Sequence, residues 1–132
     1  MTTQKQILVV DDDADIRDTM RIVLESNGYK VVTACNGKEA MKILEAFTPD
    51  LMILDVMMSH DTEGFDLAFA LKKDPAYEGM PIILLTAFMD KVREEGPDEY
   101  QHVMGQQWPA KWLFEKPVNH KRLLKKIEGI LN

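Results

Sequence analysis

Three short apolar runs in this chain stop on a residue that water, rather than a core, would ordinarily claim. "QILVVD" (6–11) ends in Asp11, "DLMILD" (50–55) ends in Asp55, and "MPIILLTA" (80–87) carries Thr86 near its end. Runs of Val, Ile and Leu this short suit strands buried on both faces, as a parallel sheet requires. A lone carboxylate beside such a core is costly, on the order of several kcal/mol, unless it finds a partner or takes up a proton. The strand ends therefore demand an explanation.

Helical spacing fills the gaps between these runs. From Ala14 to Asn27 the apolar residues Ile16, Met20, Val23 and Leu24 share a face, and "NG" at 27–28 ends the helix. "YKVVTA" (29–34) is a second strand, and "NGKEAMKILEAF" (36–47) is a helix with Ala40, Ile43, Leu44 and Phe47 inward. "GFDLAFALKKD" (64–74) is a third helix, and "KWLFEKP" (111–117) holds a fifth strand. "NHKRLLKKIEGIL" (119–131) is amphipathic, with Asn119 as cap and Leu123, Leu124, Ile127, Ile130 and Leu131 inward. Between Phe88 and Lys111, Pro97 interrupts any continuous helix and "GPDEYQHVMG" reads as a fresh start.

Strand and helix alternate five times, which predicts an α/β, doubly wound fold with a central five-stranded parallel sheet. Reversal of winding after the first strand sets strands one and three side by side. Ligands of such sheets bind beyond the carboxyl ends of the strands at that switch point. The acids fall there.

Length and composition narrow the function. The chain has 132 residues and is expected to form one domain, 1–132, with a single core. A formal net charge of −6 argues against a basic nucleic-acid-binding surface. No apolar run approaches the roughly 20 residues that span a bilayer, and "MTTQKQ" lacks a secretory pattern. A single Cys35 permits no internal disulfide and fits a reducing cytoplasm as a small, near-core residue. The Lys and Arg residues of 119–131 are expected to form a solvated face, and His60, His102 and His120 to lie at the surface.

Neighbouring first and third strands bring Asp11, Asp12 and Asp55 together. Like charges at that range take up a proton unless a cation joins them. An all-oxygen set with room for water suits Mg²⁺. Asp13 or Asp12 also caps the first helix, where negative charge is favoured, but Asp55 lies far off in sequence and needs another account. Thr86 and Lys116 close strands four and five, adding a hydroxyl and an ammonium. Together these groups suit a tetrahedral dianion, with Asp55 as nucleophile forming an acyl phosphate.

"ILVVDDDADIR", "DLMILDVMM", "PIILLTA" and "EKP" resemble the receiver domain of two-component response regulators, in the stand-alone form of chemotaxis regulators, over nearly the whole chain. The resemblance implies a flavodoxin-like receiver fold with strand order 2-1-3-4-5, and a switch rather than an enzyme, catalysing only its own phosphorylation and dephosphorylation. Asp55 is then the phosphoacceptor, Asp12 a direct Mg²⁺ ligand, and Asp11 an indirect one through water. The Met57 backbone carbonyl would complete the metal site. Thr86 matches the switch hydroxyl, Ala87 the small residue beside the phosphoryl group, and Lys116 the lysine that contacts phosphate. Lys116–Pro117 would be a cis peptide. Implied partners are a sensor histidine kinase or phosphotransfer protein and a downstream protein, with no nucleic acid and no membrane insertion; a homodimer is left open.

The chain departs from that pattern in places. After Asp55, "SHDTEG" lacks the usual proline and runs one residue longer. Between Thr86 and Lys116 the chain is longer by roughly eight residues, beyond short-loop variation, so the fourth-helix region is remodelled. "GQQWPAKW" replaces a Gly-Ala turn, and Leu113 stands where an aromatic toggle is common, flanked by Trp112 and Phe114. Trp108 and Trp112 read as core fill for this segment or as a docking surface. Met57 and Phe88, each two residues beyond a site residue, are bulky and unable to orient water, which predicts a long-lived phosphoryl group. Other readings are a non-phosphorylated pseudo-receiver, an Asp-nucleophile phosphatase and a flavin-binding protein. The phosphatase needs an acid where Met57 stands, and the flavin protein a polar phosphate loop where acids follow strand one.

Overall fold

The computed structural model describes residues 4–56, 63–86 and 112–132. In chain order these form β1 (Gln6–Val10), α1 (Ala14–Glu25), β2 (Lys30–Ala34), α2 (Gly37–Ala46), β3 (Leu51–Asp55), α3 (Glu63–Lys73), β4 (Ile82–Thr86), β5 (Trp112–Glu115) and α4 (His120–Leu131). All five strands are parallel in one sheet ordered β2-β1-β3-β4-β5, the order implied by the receiver resemblance, with β1 and β3 adjacent as the alternation predicts.

Helix limits follow from caps written in the sequence. The Asp13 carboxylate accepts from the Asp15 N–H at 2.9 Å, Asn36 Oδ1 from Glu39 at 2.8 Å, and Asn119 Oδ1 from Arg122 at 3.1 Å. Each satisfies an N–H that the first helical turn leaves without a partner. α1 stops two residues before Asn27. The Gly28 N–H then reaches the Glu25 carbonyl and the Tyr29 N–H the Leu24 carbonyl, both at 3.1 Å. That paired closure needs a left-handed residue, and Gly28 supplies it at φ 90°.

The sheet separates two apolar layers by the period of two in its strands. On one side Leu8, Val10, Met52, Leu54 and Leu84 pack with Ala40 and Leu44 of α2 and Leu67, Ala68 and Leu71 of α3. On the other, Ile7, Val9, Ile53, Ile83 and Leu85 pack with Met20 and Leu24 of α1 and Leu123 and Ile127 of α4. Each fully buried Leu or Ile is worth about 1.5–3 kcal/mol against exposure. A one-residue slip of a strand would swap its faces, so both layers enforce the register. Asp50 adds a polar pin at the amino ends of β1 and β3. Its Oδ2 accepts from the Gln6 N–H at 2.8 Å, while its own N–H donates to the Gln6 carbonyl at 2.8 Å.

α3 meets β3 through Gly64, whose N–H donates to the Val56 carbonyl at 3.0 Å. A Cβ at this position would collide with the Asp55 carbonyl oxygen and lie 2.6 Å from Val56 Cα and 2.8 Å from Asp55 C. These are backbone atoms and cannot rotate away, so the helix start reaches the back of Asp55 only because residue 64 lacks a side chain. Gly64→Ala is expected to cost about 1–3 kcal/mol by overpacking, read as a fall in Tm of roughly 4–12 °C. Gly79→Ala, whose Cβ meets nothing within 4 Å, should leave Tm unchanged in the same melts.

Candidate functional site

The register decides which polar residues meet. Val10 lies opposite Leu54, so Asp11 and Asp55 emerge side by side from adjacent strands. Thr86 pairs with Glu115 across β4 and β5, and the Lys116 N–H donates to the Thr86 carbonyl at 3.0 Å. Asp11, Asp55 and Lys116 continue the alternating rows Ile7–Val9, Leu51–Ile53 and Trp112–Phe114, which belong to the layer under α1 and α4. The same rows that build a core thus end as a charged cluster.

Burial makes that cluster unusual. Asp11 is 0% exposed, Asp55 1% and Thr86 2%. Carboxylate oxygens of Asp11, Asp12 and Asp55 all lie within 4.8 Å of one another, with Asp12 on the solvent side. Lys116 Nζ sits 3.0 Å from Asp11 Oδ2 and 3.2 Å from Asp55 Oδ2. Burial, the largest single influence on Lys116, pulls its pKa down. Hydrogen bonding and charge from Asp11 and Asp55 together outweigh it, so the ammonium stands above its ordinary 10.5. A cation with a raised pKa contributes fully below 10.5 and loses that contribution only as pH climbs through the raised value. The pairing therefore holds through neutral pH.

One ammonium against three carboxylates leaves surplus negative charge at the strand ends. The donors are all oxygen, and one of the three carboxylates faces solvent. Such a set fits a hard divalent cation that keeps bound waters, Mg²⁺ above softer metals. Asp12, Asp11 and Asp55 are the residues that would hold it.

The sequence-predicted Asp11, Asp12, Asp55, Thr86 and Lys116 are thus gathered at neighbouring strand ends. Met57, Ala87 and Phe88 lie outside the described residues, as do the loop through Thr62, the 88–111 segment, His60, His102 and Trp108. Lys116–Pro117 is cis. Asp13, not Asp12, caps α1, which leaves the Asp12 carboxylate to the acidic cluster. Leu113 packs in the layer of α2 and α3, whereas Trp112 and Phe114 pack in the opposite layer. Neither flanking aromatic therefore takes the place of Leu113. Trp112 also lines a surface cavity of about 890 Å³ with Met80, Ile130 and Lys125, to which none of the site carboxylates contributes. Cys35 is half-buried with Sγ 3.3 Å from Glu39 Oε2, and that hydrogen bond raises its pKa, keeping the thiol protonated.

Two contributors escape the strand-end reasoning. Gly64 packs against the backbone of Asp55, and Arg17 Nη1 donates to the Asp11 carbonyl at 2.7 Å. A glycine at the start of a helix, where its propensity is poor, was the available signal for the first. For the second, a cation one turn into the helix after an acidic loop was the signal.

Comparison with known proteins agrees with this geometry. The family model described as response regulator receiver domain matches residues 7–128. A probable transcriptional regulator, ycf27, from Cyanidium caldarium is 42% identical over 133 residues, covering 97% of this chain and 47% of the relative. The chain thus spans about half the length of that relative. The chemotaxis response regulator CheY4 of Vibrio cholerae superposes with a TM-score of 0.79 at 32% identity, covering 98% of this chain and all of that one. The response regulator TrrA of Thermotoga maritima, solved in complex with Mg(2+)-BeF, gives a TM-score of 0.77 at 33% identity, covering 97% of this chain and all of that one. With matching strand order, buried acids and family model, this chain belongs to the response regulator receiver domains of two-component signalling.

Proposed function

We propose that the protein accepts a phosphoryl group on Asp55 from a phosphohistidine of a sensor histidine kinase or phosphotransfer protein. It then signals through phosphorylation-dependent binding of a downstream protein. The observation that carries this reading is the buried pair Asp11 and Asp55, bridged by Lys116 and flanked by Asp12. A structural role alone does not call for three acids at one sheet edge.

Phosphoryl transfer passes through a loose transition state, so the protein mainly positions groups and neutralises oxygens. An Asp55 oxygen attacks phosphorus, the P–N bond of the donor breaks, and the departing imidazole leaves with the bond's electron pair. Asp55 becomes an acyl phosphate. Mg²⁺, held by Asp12, Asp11 and Asp55 with the Met57 carbonyl, would supply positive charge against the phosphoryl oxygens. Lys116 already touches Asp55 and would move its ammonium onto one of those oxygens, with the Thr86 hydroxyl donating to another. Ala87 would leave the group room. The acyl phosphate carries up to two negative charges where the carboxylate carried one, and that extra charge and its three oxygens at a buried strand end shift the balance of any two-state surface linked to β4 and β5. The TrrA complex with Mg(2+)-BeF supports the cofactor assignment by analogy. The net charge of −6 supports an output through protein rather than through nucleic acid held by this domain.

Incubation with Mg²⁺ and acetyl phosphate should add one phosphoryl group by intact mass, and Asp55→Asn or chelation of Mg²⁺ should abolish it. No adduct on the wild-type chain would favour a pseudo-receiver, and continuing phosphate release in excess of protein would favour a hydrolase. The bulky Met57 and Phe88 further predict a phosphoryl group that persists for minutes or longer. Met57→Asn is expected to shorten that lifetime severalfold, followed by loss of the mass adduct after donor removal. Decay of the wild-type adduct within seconds would overturn the assignment.

A further inference from the structure

Asp12 is the one acid of the cluster whose side chain has no support. Among the described residues its exposed carboxylate takes no hydrogen bond or ion pair. Asp11 is held by Asp13 N–H at 2.9 Å on Oδ1 and by Lys116 on Oδ2. Asp13 is fixed as the α1 cap. The direction of the Asp12 carboxylate is therefore left to the backbone that carries it.

That backbone is pinned at one atom. The Asp11 carbonyl belongs to the peptide plane that leads into Asp12, and a planar peptide transmits the carbonyl's orientation directly to the next Cα. Arg17 Nη1 donates to this carbonyl at 2.7 Å, a short, charge-assisted bond. Arg17 is itself anchored, since its N–H donates to the Asp13 carbonyl at 3.1 Å in the first turn of α1. One peptide earlier, the Asp11 N–H donates to the Ala34 carbonyl at 3.1 Å, fixing the other flank of Asp11. The β1–α1 loop is thus clamped between the end of β2 and a guanidinium one turn into the helix.

We propose that Arg17 is a positioning residue for cation binding, orienting the Asp11–Asp12 peptide so that the Asp12 carboxylate faces Asp11 and Asp55. This inference rests on the reading of those three acids as a Mg²⁺ site. Charge and orientation make opposite demands here. A guanidinium beside the cluster repels a dication, so removing its charge should by itself tighten Mg²⁺ binding. Losing the clamp should weaken it.

The sign of the change decides. Mg²⁺ titrations by calorimetry at fixed ionic strength, alongside thermal melts, would compare the wild type with Arg17→Met and Arg17→Lys. Arg17→Met is expected to raise the Mg²⁺ Kd roughly tenfold, in the range seen for groups that orient metal ligands. Arg17→Lys, which keeps the charge and a donor, should recover most of that loss. An unchanged or lower Kd in a folded Arg17→Met overturns the proposal. Should that variant not fold, Arg17→Gln replaces it, because its shorter stem keeps the amide from the Asp11 carbonyl, and the same outcomes decide. A wild-type chain that binds no Mg²⁺ would instead overturn the reading of the acidic site itself.

Discussion

The ammonium of Lys116, set between the buried carboxylates of Asp11 and Asp55, is the contact on which the upper end of the sheet depends. It ties β5 to β1 and β3 across the intervening β4. Buried ion pairs are poor sources of net stability, because desolvation offsets most of the attraction. Removing one partner nevertheless leaves an uncompensated charge that costs about 3–5 kcal/mol. An apolar trio of the same volume would hold these strands together as well or better. The charges are retained at a place where stability does not require them, which is the mark of a site rather than of a staple.

Much of this was legible in the sequence because parallel sheets write their buried strands as unbroken apolar runs. "ILVV", "LMIL" and "IILL" have few other homes, and each is followed by a polar residue that the structure buries at the gathered strand ends. The adjacency of β1 and β3 followed from alternation and handedness, and the caps Asp13, Asn36 and Asn119 stand where helix starts demand them. The tie between Lys116 and both acids was legible only as chemistry at matching strand ends; its distances required the register. Gly64 and Arg17 were not legible for a common reason. Each acts on a main-chain atom of a site residue, and backbone carbonyls carry no sequence signature. A glycine opening a helix and an arginine one turn into another look unremarkable until the partner atom is known.

The candidate site thereby divides into groups whose side chains gather at the strand ends and groups that hold main chain in place. Asp55 has both kinds beside it: Lys116 on its carboxylate and Gly64 against its carbonyl. Asp11 likewise offers one carboxylate oxygen to Lys116, the other to the Asp13 N–H, and its carbonyl to Arg17. Within the acidic loop the carboxylate of Asp12, the acid nearest solvent, takes its direction from its backbone rather than from a partner among the described residues.

The sheet order has a further consequence for how firmly these groups are held. Asp55 ends β3, a strand bonded on both sides by β1 and β4 and buried along its whole length. Lys116 follows β5, which among the described residues pairs with β4 alone and is only half-buried. Free energies of local opening rise from sheet margins toward doubly bonded interiors. Asp55 therefore stands on one of the last strands to loosen, and the Lys116 ammonium on one of the first. A fluctuation confined to β5 would carry the ammonium away while the Asp55 carboxylate stayed in place, so the ladder of stability across the sheet also grades how firmly its opposite charges are held.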